Sequence, residues 1–120
     1  MSAPTPLPVK SALIVGGGIT GLTAALALRA KGLDVTVLEQ AAKFDKVGAG
    51  IQLAPNGFKC LAALGLSDLV TAASNRPEAL KTVARDGSTS LSIPLTDQRL
   101  TSWGGDYRHI YRPALISILE

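Results

Sequence analysis

The chain has 120 residues, of which 47% are hydrophobic and 18% charged, with a formal charge of +3. That is too apolar for a disordered tail and about the size of one small domain. Its basic residues are dispersed, leaving no phosphate-tracking face for nucleic acid, and a single cysteine and a single histidine exclude a disulfide framework and an N/S zinc site, so no metal is expected. The lone thiol fits a reducing, cytoplasmic setting. With Phe44, Phe58, Trp103, Tyr107 and Tyr111 as the only aromatics, a core must be built from Leu, Ile, Val and Ala, as in layered α/β proteins.

Residues 1–9, with three prolines, read as a flexible tail. Ser11 to Leu28 carries no charge, but Gly16, Gly17, Gly18 and Gly21 would make it a poor membrane-spanning helix. It divides better into a short buried strand, Ser11 to Val15, then a glycine turn, then a helix from Ile19 to Lys31. The small side chains of that helix suit close packing on a sheet. Gly32 stands where a helix end favours positive φ, and Leu33 to Leu38 reads as a second strand. Strand, helix and strand form one βαβ unit with an expected right-handed crossover.

Ala41 to Gly50 reads as a polar, glycine-rich loop. Pro55 opens a helix with Phe58, Leu61 and Leu64 on one face and Gly65 at its close. Cys60, on that helix, is expected to be a buried small hydrophobe. Ser67 is expected to cap a short helix running through Ala73. A hairpin is predicted around Asp86-Gly87, with strands Lys81–Arg85 and Thr89–Ile93. Tyr107 to Tyr111 reads as a further strand and Pro113 as the start of a last helix. His109 is expected at the surface or in strand packing.

Gly16-Gly17-Gly18-Ile19-Thr20-Gly21 fits the G-x-G-x-x-G pattern. In that pattern the first glycine allows the tight turn, the second admits a pyrophosphate to the backbone, and the third lets helix and strand approach. Amides of Ile19 and Thr20, at the start of the helix, are placed to donate to phosphate oxygens, aided by the helix dipole. The pattern alone is weak. Here it follows a strand, opens a helix, and precedes Glu39, which ends the next strand 18 residues after Gly21. The spacing expected for an acid that binds the adenosine ribose is about 20 residues. A carboxylate there also repels a 2′-phosphate, which argues against NADP in this turn. The pattern by itself leaves NAD and FAD both open.

The stretch Val47-Gly48-Ala49-Gly50-Ile51-Gln52-Leu53-Ala54-Pro55-Asn56-Gly57, with Leu61-Ala62-Ala63-Leu64-Gly65-Leu66, closely resembles the single-component FAD-dependent aromatic hydroxylases of the salicylate hydroxylase-like type. The hairpin and His109-Ile110-Tyr111-Arg112-Pro113-Ala114-Leu115 resemble the family's next elements, so the resemblance runs through nearly all of the chain after Pro8. It implies an α/β fold: residues 10–120 would be the N-terminal part of a Rossmann-like FAD-binding domain, with the hairpin near 81–95 belonging to the substrate-domain sheet. Gly16, Gly18, Ile19, Thr20 and Gly21 would hold the FAD pyrophosphate, Glu39 the ribose, and Gly48, Ala49 and Gly50 would lie beside the flavin. Arg112 would reach the cofactor's phosphate or ribityl region. Two departures stand out: Gln40 replaces the usual arginine, and Tyr111-Arg112-Pro113-Ala114 replaces histidine, arginine, a small residue and an acid.

In the family, NADH or NADPH reduces the flavin, and dioxygen supplies the atom placed on an activated aromatic ring. The resemblance therefore implies FAD as cofactor and a small aromatic substrate. No residue is singled out as a catalytic base. The chain holds neither the family's Gly-Asp-Gly nor its later Gly-Asp segment, so it is expected to be incomplete for catalysis. The competing readings are a non-catalytic or vestigial FAD- or NAD-binding module and, more weakly, an NAD-binding oxidoreductase domain.

Overall fold

The computed structural model describes residues 8–42 and 49–120. Strand β1 (Ser11–Val15) and strand β2 (Asp34–Leu38) pair in parallel, Ser11 opposite Asp34 and Val15 opposite Leu38, with helix α1 (Ile19–Arg29) as the crossover. One face of this pair carries Ala12, Ile14, Val35 and Val37, all half-buried, while Leu13, Val15, Thr36 and Leu38 are exposed. The alternation is the two-residue period of a strand covered on one face. Helix α1 is apolar nearly all round because it has neighbours on two sides, the β1–β2 pair and the last helix. It ends in a Schellman motif: Leu33 N–H donates to Leu28 C=O and Gly32 N–H to Arg29 C=O, with Gly32 at φ +84°. That geometry is why glycine follows the helix.

Strand β3 (Gly50–Leu53) pairs antiparallel with β7 (Arg108–Tyr111), which also pairs with the two-residue β4 (Ser74–Asn75). Helices α2 (Pro55–Ala63) and α3 (Ser67–Ala72) join β3 to β4, and α5 (Arg112–Leu119) follows β7 directly. The main core gathers Leu22 of α1, Leu53, Leu61, Val70, Ile110, Leu115, Ile116 and Leu119. It therefore lies where α1 and α5 meet the β3–β7–β4 sheet. Strands β5 (Ala79–Val83) and β6 (Thr89–Pro94) form a separate hairpin, and helix α4 (Asp97–Ser102) carries Leu100 into a second small cluster with Leu95 and Tyr107. Among the described residues, no helix is long and apolar enough to cross a membrane.

The predicted βαβ unit, the helix at Pro55, the hairpin and the final strand and helix are all present, within two residues of their expected bounds. Several expectations need correction. Ser67 is the first residue of α3 rather than its cap; the cap position is Leu66, and no side chain bonds the helix start. The hairpin is not among them: it is present as expected and, among the described residues, forms a two-stranded sheet. Cys60 is an exposed free thiol, not a buried hydrophobe, because it falls on the face of α2 turned away from Leu61. Strands β3 and β4 and helix α4 were not predicted. The tail to Leu7 and residues 43–48 of the loop, Gly48 included, lie outside the described residues.

Candidate cofactor site

The turn between β1 and α1 is tied to the end of β2 at two levels. Gly16 N–H donates to Leu38 C=O at 2.7 Å, and Gly17 N–H donates to Glu39 Oε2 at 2.7 Å. Glu39 Oε1 accepts from Ala41 N–H at 2.9 Å. The sequence-predicted acid and glycines are therefore brought together, and the strand pairing that places Val15 beside Leu38 is what does it. The Ala41 and Gly17 amides hold the Glu39 carboxyl below its ordinary value, so it is ionised at neutral pH. It accepts one bond on each oxygen from the backbone, and a carboxylate with about four acceptor positions keeps capacity for hydroxyl donors.

The three fingerprint glycines differ in what requires them. Gly16 has φ +104°, a conformation that L side chains rarely adopt. A Cβ on Gly21 would stand 1.9 Å from the Gly16 carbonyl oxygen, so its bare backbone is what lets α1 approach β1. Gly18 has φ −75° and ψ −177°, open to any residue, and a Cβ there would meet no atom within 4 Å. Neither backbone strain nor protein packing calls for glycine at Gly18. The space over it lies at the start of α1, where amides of the first turn lack helical acceptors. Ile19 and Thr20 form that first turn, and no acidic side chain occupies it.

A second group of predicted residues meets at the start of β3. Arg112 N–H donates to Ala49 C=O at 3.2 Å, and Gly50 pairs with Tyr111. Arg112 is half-buried at the first position of α5, directly after β7. Thus Ala49, Gly50 and Arg112, 62 residues apart in sequence from Gly50 to Arg112, are neighbours through the β3–β7 pairing.

Residues that sequence reading did not group lie on the outer face of the same pair. Tyr107 donates its hydroxyl to Gln52 Oε1 at 2.7 Å, and its ring meets His109 edge-on with centroids 5.9 Å apart. The sequence signal was the apolar–polar alternation of Ile51, Gln52 and Leu53, which only the register with 108–111 turns into a shared face.

Comparisons with known proteins show what the chain is similar to. A family described as FAD dependent oxidoreductase matches residues 11–52, which spans β1, α1, β2 and most of β3. The chain is 42% identical over 119 residues to 3-hydroxybenzoate 6-hydroxylase of Polaromonas naphthalenivorans, covering 98% of this chain and 29% of that protein. It is also 42% identical over 103 residues to 3-amino-4-hydroxybenzoate 2-monooxygenase of Streptomyces cremeus, covering 85% of this chain and 26% of that one. Among solved structures, Klebsiella pneumoniae HpxO complexed with FAD and uric acid superposes with a TM-score of 0.76 at 28% identity, covering 92% of this chain and 28% of that one. The chain spans less than a third of the length of these relatives. Over that share it is a homologue of the FAD-dependent aromatic-ring monooxygenases and corresponds to their N-terminal part.

Proposed function

We propose that residues 10–120 form the FAD-binding part of a cytoplasmic flavin-dependent monooxygenase acting on a small aromatic ring, with NADH or NADPH as reductant. The observation that carries this reading is Gly18: a glycine required by neither its φ nor its neighbours, over open space at a helix start, beside an ionised Glu39. A pyrophosphate needs that combination, because its oxygens must approach the backbone more closely than a Cβ allows.

In this reading the amides of the first turn of α1 receive the pyrophosphate, and the helix dipole favours its charge. Glu39 accepts hydrogen bonds from the adenosine ribose hydroxyls while its bonds to Gly17 and Ala41 hold the turn in shape. Ala49 and Gly50 leave the start of β3 free of bulk, and Arg112 supplies a cation beside them. FAD, when bound, supplies the redox chemistry and the activation of dioxygen. The chain's own contribution is to bind and orient it, and to exclude water on the sheet side of the site. The residues present fit the group.

The test is the absorbance spectrum of the chain purified without added cofactor and after reconstitution with FAD. A bound flavin spectrum, with no retention of NAD under the same conditions, is expected. Retention of NAD in place of flavin would favour the plain dinucleotide-module reading.

A further inference from the structure

Residues 76–107 leave the three-stranded sheet after β4 and return to it at β7. Because Asn75 pairs with His109, the two ends of this excursion lie side by side, and it carries the hairpin and α4 out from a narrow neck. Its base is held by apolar packing of Leu95, Leu100 and Tyr107, with Leu80 and Ala54 against them. Beyond that base the hairpin is bare, and every residue from 81 to 92 is exposed. A two-stranded hairpin without further cover is marginal alone, so what fixes its position is the fastening at the neck.

The neck holds an alternating chain of four charges. Arg108 Nε donates to Asp106 Oδ2 at 2.7 Å, Asp106 Oδ1 lies 3.7 Å from Arg76 Nε, and Arg76 Nη2 donates to Asp97 Oδ1 in the first turn of α4. The inner end is fixed: the Arg108 guanidinium lies 5.8 Å from the Phe58 ring centroid and donates to Ser74 Oγ at 3.4 Å. Exposure rises outward, from 14% at the Arg108 side chain through 24% at Asp106 and 39% at Arg76 to 90% at Asp97. A second cation meets the other end of α4. A Cβ on Gly104 would stand 2.5 Å from Lys59 Nζ, so that ammonium, carried by α2, lies over the turn that closes α4. The carbonyl end of a helix favours a cation, as its amide end favours Asp97. Both ends of α4 are therefore gripped by cations outside it, and both grips face water. An exposed ion pair contributes at most about 1 kcal/mol and is screened by salt. A fastening of that strength favours one position without locking it.

We propose that α4 is a salt-sensitive clasp: the grips of Arg76 and Lys59 hold the hairpin over the outer face of β3 and β7, and their release lets it swing away. The swing would widen the gap of about 450 Å³ that the hairpin now shares with Gln52 and His109. Release is read as a distance. Spin labels go on Ser92→Cys in the hairpin and Ala63→Cys at the end of α2, both exposed, with Cys60→Ser removing the native thiol. Double electron–electron resonance of the monomeric chain is recorded in about 0.01 M and about 1 M sodium chloride, where the screening length is about 30 Å and about 3 Å. One narrow population is expected at low salt, with a longer-distance population growing about threefold to tenfold at high salt. Asp97→Asn and Lys59→Met should each show that second population at low salt already. Arg99→Gln, which removes a charge from α4 outside both grips, should behave as the parent does. Identical distributions of the parent at both salts would overturn the clasp, as would an Asp97→Asn chain with the parent's narrow population and the parent's salt response. Circular dichroism separates a swing from unfolding: it should not change with salt, and a loss of helix signal that tracks the broadening would equally overturn the proposal.

Discussion

Gly21 and Glu39 make opposite demands on the turn, and each yields its own prediction. At Gly21, an added Cβ meets the Gly16 carbonyl oxygen at 1.9 Å and Ile14 Cγ2 at 3.3 Å, so α1 must move off β1. Gly21→Ala should cost about 1–3 kcal/mol or more, measured by urea unfolding. At Glu39, the Ala41 and Gly17 amides lower the carboxyl pKa. A depressed acid contributes its support above the ordinary glutamate range and loses it as pH falls through the folded value. FAD affinity should therefore decline on acidification below the ordinary glutamate range, and Glu39→Gln should flatten that part of the profile. A fluorescence titration of FAD across acid pH reads both. The fingerprint was legible in the sequence because each of its residues acts locally, within one turn and one crossover. The Gln52–Tyr107–His109 cluster was not, because nothing in a linear string says that positions 52 and 109 stand opposite each other. His109, expected at the surface or in strand packing, lies half-buried in β7, and its buried Nε2 emerges only from the register.

Elements with strong local signals were found and those built by distant pairing were missed. Strands β3 and β4 have four and two residues and exist because β7, far along the chain, hydrogen-bonds to both. The glycine-rich approach to β3 read as loop for that reason. Helix α4 did carry a signal that went unused: Thr96 accepts from Arg99 N–H at 3.3 Å, Asp97 sits in the first turn, and Gly104 follows the end. Thr96→Ala should destabilise the chain by about 0.5–1 kcal/mol, a small value because the bond is long and exposed. Ile110, 2% exposed in the central strand of the three-stranded sheet, is a different case. Ile110→Ala should cost about 2–5 kcal/mol in thermal or urea unfolding and should loosen β3 and β4 together.

At the scale of the whole molecule, shape and surface disagree with a compact domain. The radius of gyration is 18.8 Å, against about 14 Å expected for a compact chain of this length. The outer face of β1–β2 exposes Leu13 at 63%, Val15 at 82% and Leu38 at 50%. An apolar sheet face beside unpaired strand edges favours association. Sedimentation velocity should show concentration-dependent self-association, reduced by the double change Leu13→Lys and Val15→Lys. The central claim concerns the Gly16–Gly21 turn, and Gly18→Val tests it most directly. Its backbone conformation and the empty space around its Cβ position predict unfolding behaviour close to wild type. Its side chain would fill the space reserved for the pyrophosphate. Titrated with FAD under matched conditions, Gly18→Val should keep its fold by circular dichroism and lose flavin binding. A folded Gly18→Val chain that binds FAD as wild type does would contradict the account.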